Sequence, residues 1–341
     1  MPTTEQLKEL QSKSLEEKIQ ISSARIIEWH TRWNGQVYVS FSGGKDSTVL
    51  LHLVRRIYPE VVAVFSDTGL EYPEIREFVK TIDNVDWVVP QKYDKEKKEW
   101  VRYTFKDVIK DVGYPIISKE IARDVCIARN NPKGKTAQKF NPDSEYSKKY
   151  GKRWCLEKYI YLLNADFNIS NKCCIYMKKN PLHYYYVNNN IKPIIGTMTT
   201  ESALRKQTWL NNGCNAFNTK YPQSTPIAFW TEQDVLKYIK KYNLEYAPVY
   251  GDLIEDENGK LHFTGCQRTG CVFCGFGCHL EKEPNRFQRL AVTHPKLYSY
   301  CINGGEYNED GIWQPSETGL GMGKVLDYIG VNYKPIEEPK E

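Results

Sequence analysis

The sequence predicts an α/β fold in which a parallel sheet is followed by a cysteine-rich C-terminal module. Two kinds of segment alternate in its N-terminal part, β-rich apolar runs and helical runs. Strands are predicted at 36–41, 61–65 and 85–89, a helix at 48–57, and a second helix that begins with Pro73. Proline suits a first helical turn, because its missing N–H would be unpaired there. This alternation predicts parallel strands joined by right-handed crossovers.

The flanking segments extend this core. A helix is predicted at 4–33, where apolar residues recur at helical spacing until Asn34-Gly35 interrupts them. Further predicted elements are a helix at 153–164, a strand at 191–197, a helix at 231–241 and two short helices at 284–301. The predicted domains are an N-terminal helix at 1–34, a sheet domain at 35–250 with an exposed insertion at 130–150, and the cysteine-rich module at 251–341.

The composition excludes several classes of protein. The chain has 341 residues, of which 40% are hydrophobic and 26% charged, and this excludes a disordered or collagen-like chain. No apolar run approaches the roughly 18 residues that span a bilayer, and the polar N-terminus does not resemble a secretory signal. We therefore expect a cytoplasmic protein with no membrane partner. A net charge of +5 suits an anionic substrate.

A glycine-rich string after the first strand is the most specific feature. Ser42 to Ser47 (SGGKDS) lies between that strand and the helix that follows it. The two glycines let backbone N–H groups converge, the helix N-terminus adds partial positive charge, and Lys45 adds a full charge. The string predicts an anion cradle for phosphate, although it lacks the Walker spacing. A simple Gly-Gly turn is the structural alternative.

This string resembles the PP-loop of the adenine nucleotide α-hydrolase superfamily, which contains ATP pyrophosphatases and sulfonucleotide reductases of the phosphoadenosine phosphosulfate reductase type. The stretch from Ser66 to Glu74 (SDTGLEYPE) is similar to the reductases' D-T-G…P-E element. The resemblance implies that ATP phosphates, or alternatively adenylyl sulfate, bind to the loop. It also implies that Mg²⁺ offsets the phosphate charge with help from Asp46. Asp67 is expected to contact ribose or magnesium, with a turn cap as the alternative.

Two downstream strings strengthen the resemblance. Cys173 to Leu182 (CCIYMKKNPL) resembles the C-C-x-x-R-K-V-x-P-L string of adenylylsulfate reductases, with Met177 in place of arginine. Thr200 to Arg205 (TESALR) is similar to their E-S-x-x-R element, which implies that Arg205 points into the nucleotide pocket. The implied catalytic residues are Lys45, Asp46 and Arg205. The implied nucleotide-binding residues are Ser42, Gly43, Gly44, Lys45, Asp46, Ser47, Ser66, Asp67, Thr68, Gly69 and Arg205.

The ten cysteines predict a metal or redox site. One ligand set is local (Cys266, Cys271, Cys274 and Cys278), and the other combines Cys271 and Cys274 with Cys173 or with both Cys173 and Cys174. The second set matches the reductases, whose cysteines bind a [4Fe–4S] cluster. Arg268 to Cys274 resembles the ATP pyrophosphatases of DNA phosphorothioation, which implies a third set that combines the upstream Cys173 with Cys266, Cys271 and Cys274. We predict a [4Fe–4S] cluster, with zinc as the alternative metal. The predicted ligands are Cys173, Cys266, Cys271 and Cys274, with Cys174 and then Cys278 in reserve.

These resemblances imply an enzyme that adenylates an acceptor, a nucleic acid in our prediction, for sulfur transfer. A cysteine desulfurase or a thioredoxin is the implied protein partner. The first alternative is a reductase that releases sulfite from adenylyl sulfate or its 3′-phosphorylated form. Against it stand the intact SGGKDS loop and a tail, 330–341, that has no cysteine. The second alternative is a non-catalytic subunit that senses nucleotides.

Overall fold

The computed structural model describes residues 2–336, in which helices and strands alternate as predicted. The α-helices of this part are, in chain order, Thr4–Ser12 (α1), Leu15–Arg32 (α2), Lys45–Arg55 (α3), Pro73–Lys80 (α4), Phe105–Val112 (α5), Lys119–Asn130 (α6), Lys135–Gln138 (α7), Glu145–Tyr150 (α8), Asn180–Asn189 (α9), Ala203–Asn212 (α10), Glu232–Tyr242 (α11), Arg286–Thr293 (α12), Pro295–Ile302 (α13) and Met322–Tyr328 (α14).

The β-strands of the same part are short. They are Val37–Phe41 (β1), Ala63–Ser66 (β2), Val85–Val88 (β3), Gln91–Asp94 (β4), Glu99–Arg102 (β5), Ile116–Ile117 (β6), Lys192–Ile195 (β7), Asn215–Ala216 (β8), Gln223–Ser224 (β9), Leu253–Glu255 (β10), Leu261–Phe263 (β11), Gly275–Phe276 (β12), Glu306–Tyr307 (β13) and Trp313–Gln314 (β14). Among the described residues no helix is both long and apolar enough to cross a membrane.

The chain divides into two compact units that are each discontinuous in sequence. The first comprises the chain up to Pro90 together with Lys178–Gly270, and the second comprises Gln91–Met177 together with the chain from Cys271 onward. These divisions differ from the predicted boundaries after residues 34 and 250. The reason is that the chain leaves the first unit and later returns to it, and sequence order alone does not reveal such a return.

A six-stranded sheet organises the first unit, in the order β3-β2-β1-β7-β9-β8. The pairs from β3 to β9 are parallel, and β8 joins antiparallel to β9. The predicted parallel α/β fold is therefore confirmed. The chain runs from β1 to β2 on one side, whereas β7 pairs with the other side of β1. The carboxyl ends of β1 and β7 thus form a topological switch point, where open parallel sheets bind their ligands.

The N-terminal segment forms two helices where one was predicted. Each helix has its own capping box, Thr3 with Gln6 for α1 and Ser14 with Glu17 for α2. Serine at the cap position favours a new helix start over continuation, since its side chain accepts a hydrogen bond from a backbone N–H of the first turn. Ile26 and Trp29 of α2 are fully buried in the same core as the sheet. This packing is why the segment belongs to the first unit.

The second unit is built mainly from helices and hairpins. Strands β4 and β5 pair antiparallel, as do β13 and β14. The insertion predicted at 130–150 is largely exposed and contains the short helices α7 and α8. Phe140 between them is only 1% exposed, and Ser147 donates a hydrogen bond to the Asn141 carbonyl oxygen at 2.8 Å. A count of lysines in this segment does not reveal this buried aromatic side chain.

Candidate functional site

A cavity of about 490 Å³ lies in the first unit at the switch point. Its volume is in the range of small-molecule sites. The strand ends of β1, β2 and β7 contribute to its walls, together with the loops that follow them. Seven predicted site residues line it: Ser42, Gly44, Lys45, Asp46, Ser47, Ser66 and Arg205. The structure therefore brings the SGGKDS string and Arg205 to one cavity, as the sequence predicted.

The loop between β1 and α3 is held by its own hydroxyl groups. Ser42 Oγ lies 3.0 Å from Ser47 Oγ, and Ser47 Oγ lies 2.9 Å from the Gly44 carbonyl oxygen, to which it donates. Gly43 has φ +69°, and a Cβ there would lie 2.7 Å from Ile75 and 2.8 Å from Val79. Glycine is required at this position for both reasons. The loop is thus preformed at the N-terminus of α3.

Lys45 is buried at the base of the cavity, with 3% of its surface exposed. Its Nζ lies 3.3 Å from Glu232 Oε1 and donates to the Gln267 carbonyl oxygen at 2.8 Å. Its backbone N–H donates to the Tyr250 hydroxyl at 3.0 Å. Glu232 compensates the positive charge of this buried ammonium group only in part, so the group is suited to binding an anion at this point.

Asp46 is the acidic group next to it, and its Oδ1 is buried with no hydrogen-bond partner among the described residues. Burial raises the pKa of the Asp46 carboxyl, Glu232 raises it further, and the cations Lys45, Arg268 and Arg205 oppose the shift. An unpartnered carboxylate oxygen beside a phosphate cradle fits a magnesium ion, since Mg²⁺ uses one or two carboxylates together with substrate phosphates. Asp46 is the residue that would hold the ion.

Arg205 lies in the first turn of α10, where the Ser202 hydroxyl accepts a hydrogen bond from its backbone N–H at 3.2 Å. Its guanidinium group forms an ion pair with Glu201. Burial lowers the pKa of Arg205, as does the neighbouring charge of Arg268, while Asp46 opposes the shift. The two guanidinium groups are therefore close enough to repel each other.

Several residues that line the cavity were not predicted to contact the nucleotide. All of them follow β7 in the chain, and the last two lie near the end of the first unit: Glu201, Glu232, Tyr250, Arg268 and Thr269. The local sequence contained one usable signal, the Thr231 cap that starts α11 one residue before Glu232. Tyr250 reaches the loop only through a tertiary contact, which no local pattern reveals.

Four predicted nucleotide-binding residues do not line the cavity: Gly43, Asp67, Thr68 and Gly69. Asp67 is 4% exposed, forms a 3.0 Å ion pair with Arg76, and accepts a hydrogen bond from the Gly69 N–H at 3.3 Å. These contacts correspond to the turn-capping alternative for Asp67. Thr68 donates to Glu71 at 2.7 Å, and Glu71 itself does line the cavity.

The predicted metal ligands are divided between the two units. Cys266 belongs to the first, whereas Cys173, Cys271 and Cys274 belong to the second. Cys173 is buried and lies shortly before a π-helical turn, Ile175–Lys179. Among residues 2–336 no group of three or more His, Cys, Asp or Glu side chains is arranged to hold a metal ion. The cluster and its ligands stay a prediction.

A preformed anion-binding loop at the switch point of a parallel sheet is typical of nucleotide-binding α/β proteins, and this chain has that arrangement. Residues 36–112 and 117–275 match the family described as the phosphoadenosine phosphosulfate reductase domain. The chain belongs to this family.

The relatives that it matches are distant. An uncharacterized protein of Methanocaldococcus jannaschii is 24% identical over 312 residues, which are 88% of this chain and 58% of that protein. An adenosine 5′-phosphosulfate reductase of Staphylococcus haemolyticus is 28% identical over 250 residues, 73% of this chain and 74% of the reductase. A phosphoadenylyl-sulfate reductase of Candida auris, solved as a phosphate complex, has 12% identity and a TM-score of 0.37, covering 76% of this chain and 98% of its own.

Proposed function

We propose that this protein binds ATP with its phosphates on the Ser42–Ser47 loop and cleaves it between the α and β phosphates. The AMP moiety is transferred to an acceptor, and a sulfur nucleophile at the oxidation level of sulfide then displaces AMP, which leaves with the acceptor oxygen. The single observation that carries the proposal is the preformed loop, with Lys45 buried beneath it and an unpartnered Asp46 oxygen beside it. These groups supply the cations and the metal site that a polyphosphate requires.

The chemistry places few demands on the protein. A nucleophilic acceptor atom attacks the α phosphorus, the bond to the bridging oxygen breaks, and pyrophosphate leaves. Negative charge grows on the leaving pyrophosphate, where the ammonium group of Lys45 and the loop N–H groups stabilise it. When bound, Mg²⁺ neutralises phosphate charge. Arg205 adds a second cation to the same cavity.

A reductase that releases sulfite from adenylyl sulfate is the second candidate. The observation in its favour is the family itself, together with relatives named as adenosine 5′-phosphosulfate reductases. The two candidates differ in their substrate, because one requires a chain of phosphates and the other a single phosphate bonded to sulfate. A direct comparison of the two nucleotides therefore separates them.

The experiment incubates anaerobically purified protein with ATP and Mg²⁺, or with adenylyl sulfate and reduced thioredoxin. DNA and tRNA are supplied as acceptors. Cysteine, a cysteine desulfurase and a thiol reductant together supply sulfur at the oxidation level of sulfide. We expect AMP and pyrophosphate from ATP when the acceptor is present, and no sulfite from adenylyl sulfate. Steady production of sulfite, with no pyrophosphate from ATP, would promote the reductase over our proposal.

Lys45→Ala provides the matched test of the loop. Because a charge-assisted contact is worth about 1.5–3 kcal/mol, we expect ATP affinity to fall roughly 10- to 150-fold in a titration. Lys18→Ala is the control. Among the described residues Lys18 is the other buried lysine of the first unit, and its Nζ pairs with Asp234 Oδ2 at 2.7 Å, where neither residue lines the cavity. Unchanged ATP affinity in a folded Lys45→Ala protein contradicts the assignment.

A further inference from the structure

The cations of the nucleotide cavity are not equivalent. Lys45 is paired with Glu232 and Arg205 with Glu201. Arg268 also lines the cavity, is exposed, and makes no ion pair or side-chain hydrogen bond in residues 2–336. Its charge is therefore available to a ligand without first breaking an internal contact.

Hydrogen bonds connect the segment that carries Arg268 to the phosphate loop, both before and after this residue. Before it, the Gln267 carbonyl oxygen accepts a hydrogen bond from Lys45 Nζ at 2.8 Å. After it, Thr269 Oγ1 lies 2.8 Å from the Tyr250 hydroxyl, which accepts from the Lys45 backbone N–H. A Cβ at Gly44 would lie 3.3 Å from Thr269 Oγ1. Arg268 is thus held at the edge of the loop.

We propose that Arg268 determines specificity by binding the outer phosphates of a nucleoside triphosphate, so that the cavity selects a triphosphate over adenylyl sulfate. This inference rests on the proposed function and names the substrate class of the same site. An arginine fork binds two phosphate oxygens at once. A triphosphate extends beyond the phosphates seated on the loop, whereas adenylyl sulfate has only one phosphate and one sulfate. Only the triphosphate presents a third anionic group for Arg268.

The electrostatics of the cavity support this assignment. Arg205 and Arg268 share one cavity and repel each other, and the charge of Arg268 contributes to the lowered pKa of Arg205, after burial. A polyanion between or beside the two guanidinium groups relieves this repulsion. The benefit grows with ligand charge, so a triphosphate gains more from the pair than AMP does.

The test measures binding of three ligands to Arg268→Ala: α,β-methylene ATP, which resists cleavage, AMP, and adenylyl sulfate. We expect the triphosphate analogue to bind roughly 10- to 150-fold more weakly, from the loss of one charge-assisted contact. AMP and adenylyl sulfate should lose much less affinity, because they lose only the long-range attraction of the Arg268 charge and no direct contact. Arg268→Lys keeps the charge but not the fork, so it should recover part of the loss. Arg32→Ala, an exposed arginine of the same unit outside the cavity, controls for net charge.

Several outcomes would overturn the inference. An equal loss for all three ligands means that Arg268 supports the site as a whole, and a loss confined to AMP and adenylyl sulfate means that it does not bind the outer phosphates. If Lys45→Ala loses the triphosphate analogue while Arg268→Ala binds it normally, the Arg268 assignment fails and the proposed function stands. If the unmodified protein does not bind the analogue at all, both fail. Thermal melts verify that each variant is folded.

Discussion

At the scale of single residues, Asp46 shows how a binding site imposes a cost on the ligand-free protein. Its carboxyl group is mostly buried, one oxygen lacks a hydrogen-bond partner in the described chain, and its pKa is raised chiefly by burial. A raised pKa means that the folded state disfavours the charged carboxylate. A bound cation removes this penalty, which is one reason why functional sites reduce stability.

Asp46→Asn should therefore raise the melting temperature of the ligand-free protein at pH 7 while weakening Mg²⁺-dependent nucleotide binding. The folded-state pKa lies above the ordinary value of 3.8, so the aspartate protein loses stability as pH rises through that folded-state pKa. Asparagine carries no charge and avoids this loss. The difference between the two proteins should shrink as pH falls and vanish below about pH 3.8, where the aspartate is protonated whether folded or unfolded.

Thermal melts from acid to neutral pH check this prediction. Asp83→Asn is the control, because Asp83 is an exposed aspartate of the same unit that does not line the cavity. A lower melting temperature for Asp46→Asn at pH 7 contradicts the prediction, and so does unchanged Mg²⁺-dependent binding.

At the scale of elements, local sequence signals located the four strands β1, β2, β3 and β7 and about half of the α-helices, whereas α5, α6, α9 and α10 were not predicted. The helix predicted at 153–164 is formed by two 3₁₀ segments, Lys152–Trp154 and Glu157–Asn164. Pro73 begins α4, and Thr231 caps α11 with the side chain of Asp234 completing the box.

The prediction of one helix at 4–33 was wrong, because Ser14 caps a second helix inside the segment although the helical spacing of apolar residues continues across it. At 130–150 the segment is largely exposed, but the burial of Phe140 was not predicted, because it depends on contacts with other parts of the chain.

The cysteine segments supply the prediction that belongs to this scale. Single serine substitutions of Cys173, Cys266, Cys271 and Cys274 should each lower iron and sulfide content and visible absorption in anaerobic protein. Cys278→Ser should keep the metal, because the Cys278 thiol is 1% exposed and already donates to the Gly275 carbonyl oxygen at 3.1 Å. Cys126→Ser, a half-buried cysteine outside the predicted ligand set, is the control.

Two results would revise the ligand set. Retention of metal by Cys173→Ser together with its loss in Cys278→Ser means that the site is formed by the local cysteines from Cys266 onward. Zinc in place of iron in anaerobically prepared protein means that no iron–sulfur cluster is present.

At the scale of the whole molecule, the division into two discontinuous units predicts where a ligand acts. All described residues that line the nucleotide cavity belong to the first unit. Nucleotide at about 100 times its Kd should stabilise the protein by about 2.7 kcal/mol. In hydrogen exchange, added protection should concentrate in peptides from β1 through α3, from β7 to α10, and around Tyr250 to Gly270.

The matched control for this exchange experiment is Lys45→Ala at the same nucleotide concentration, which should show little added protection. Protection of equal size in peptides of the second unit, such as those covering α7 and α8, contradicts a cavity formed by the first unit alone.

The sequence by itself determined the parallel α/β fold, the loop at Ser42–Ser47 and the position of Arg205 near it. Each of these depends on neighbours in sequence: strand and helix periods, glycines in a turn, and a motif at a strand end. The family match confirmed the class that these motifs indicate. The exact activity, the metal and its ligands stay predictions.

Only the tertiary structure decided which side chains meet at the loop. For Asp67 the sequence predicted a ribose or magnesium contact, with a turn cap as the alternative. In the structure its carboxylate pairs with Arg76 and accepts a hydrogen bond from the Gly69 N–H, and the predicted contact stays a prediction. Lys45 donates hydrogen bonds to the Tyr250 hydroxyl and to the carbonyl oxygen of Gln267, the residue before Arg268. More than two hundred residues separate Lys45 from each of them in sequence. These contacts form because the chain returns to the first unit after residues 91–177 have formed part of the second. Local sequence patterns do not predict this return, because the free energy that stabilises it comes from packing between segments that are distant in sequence.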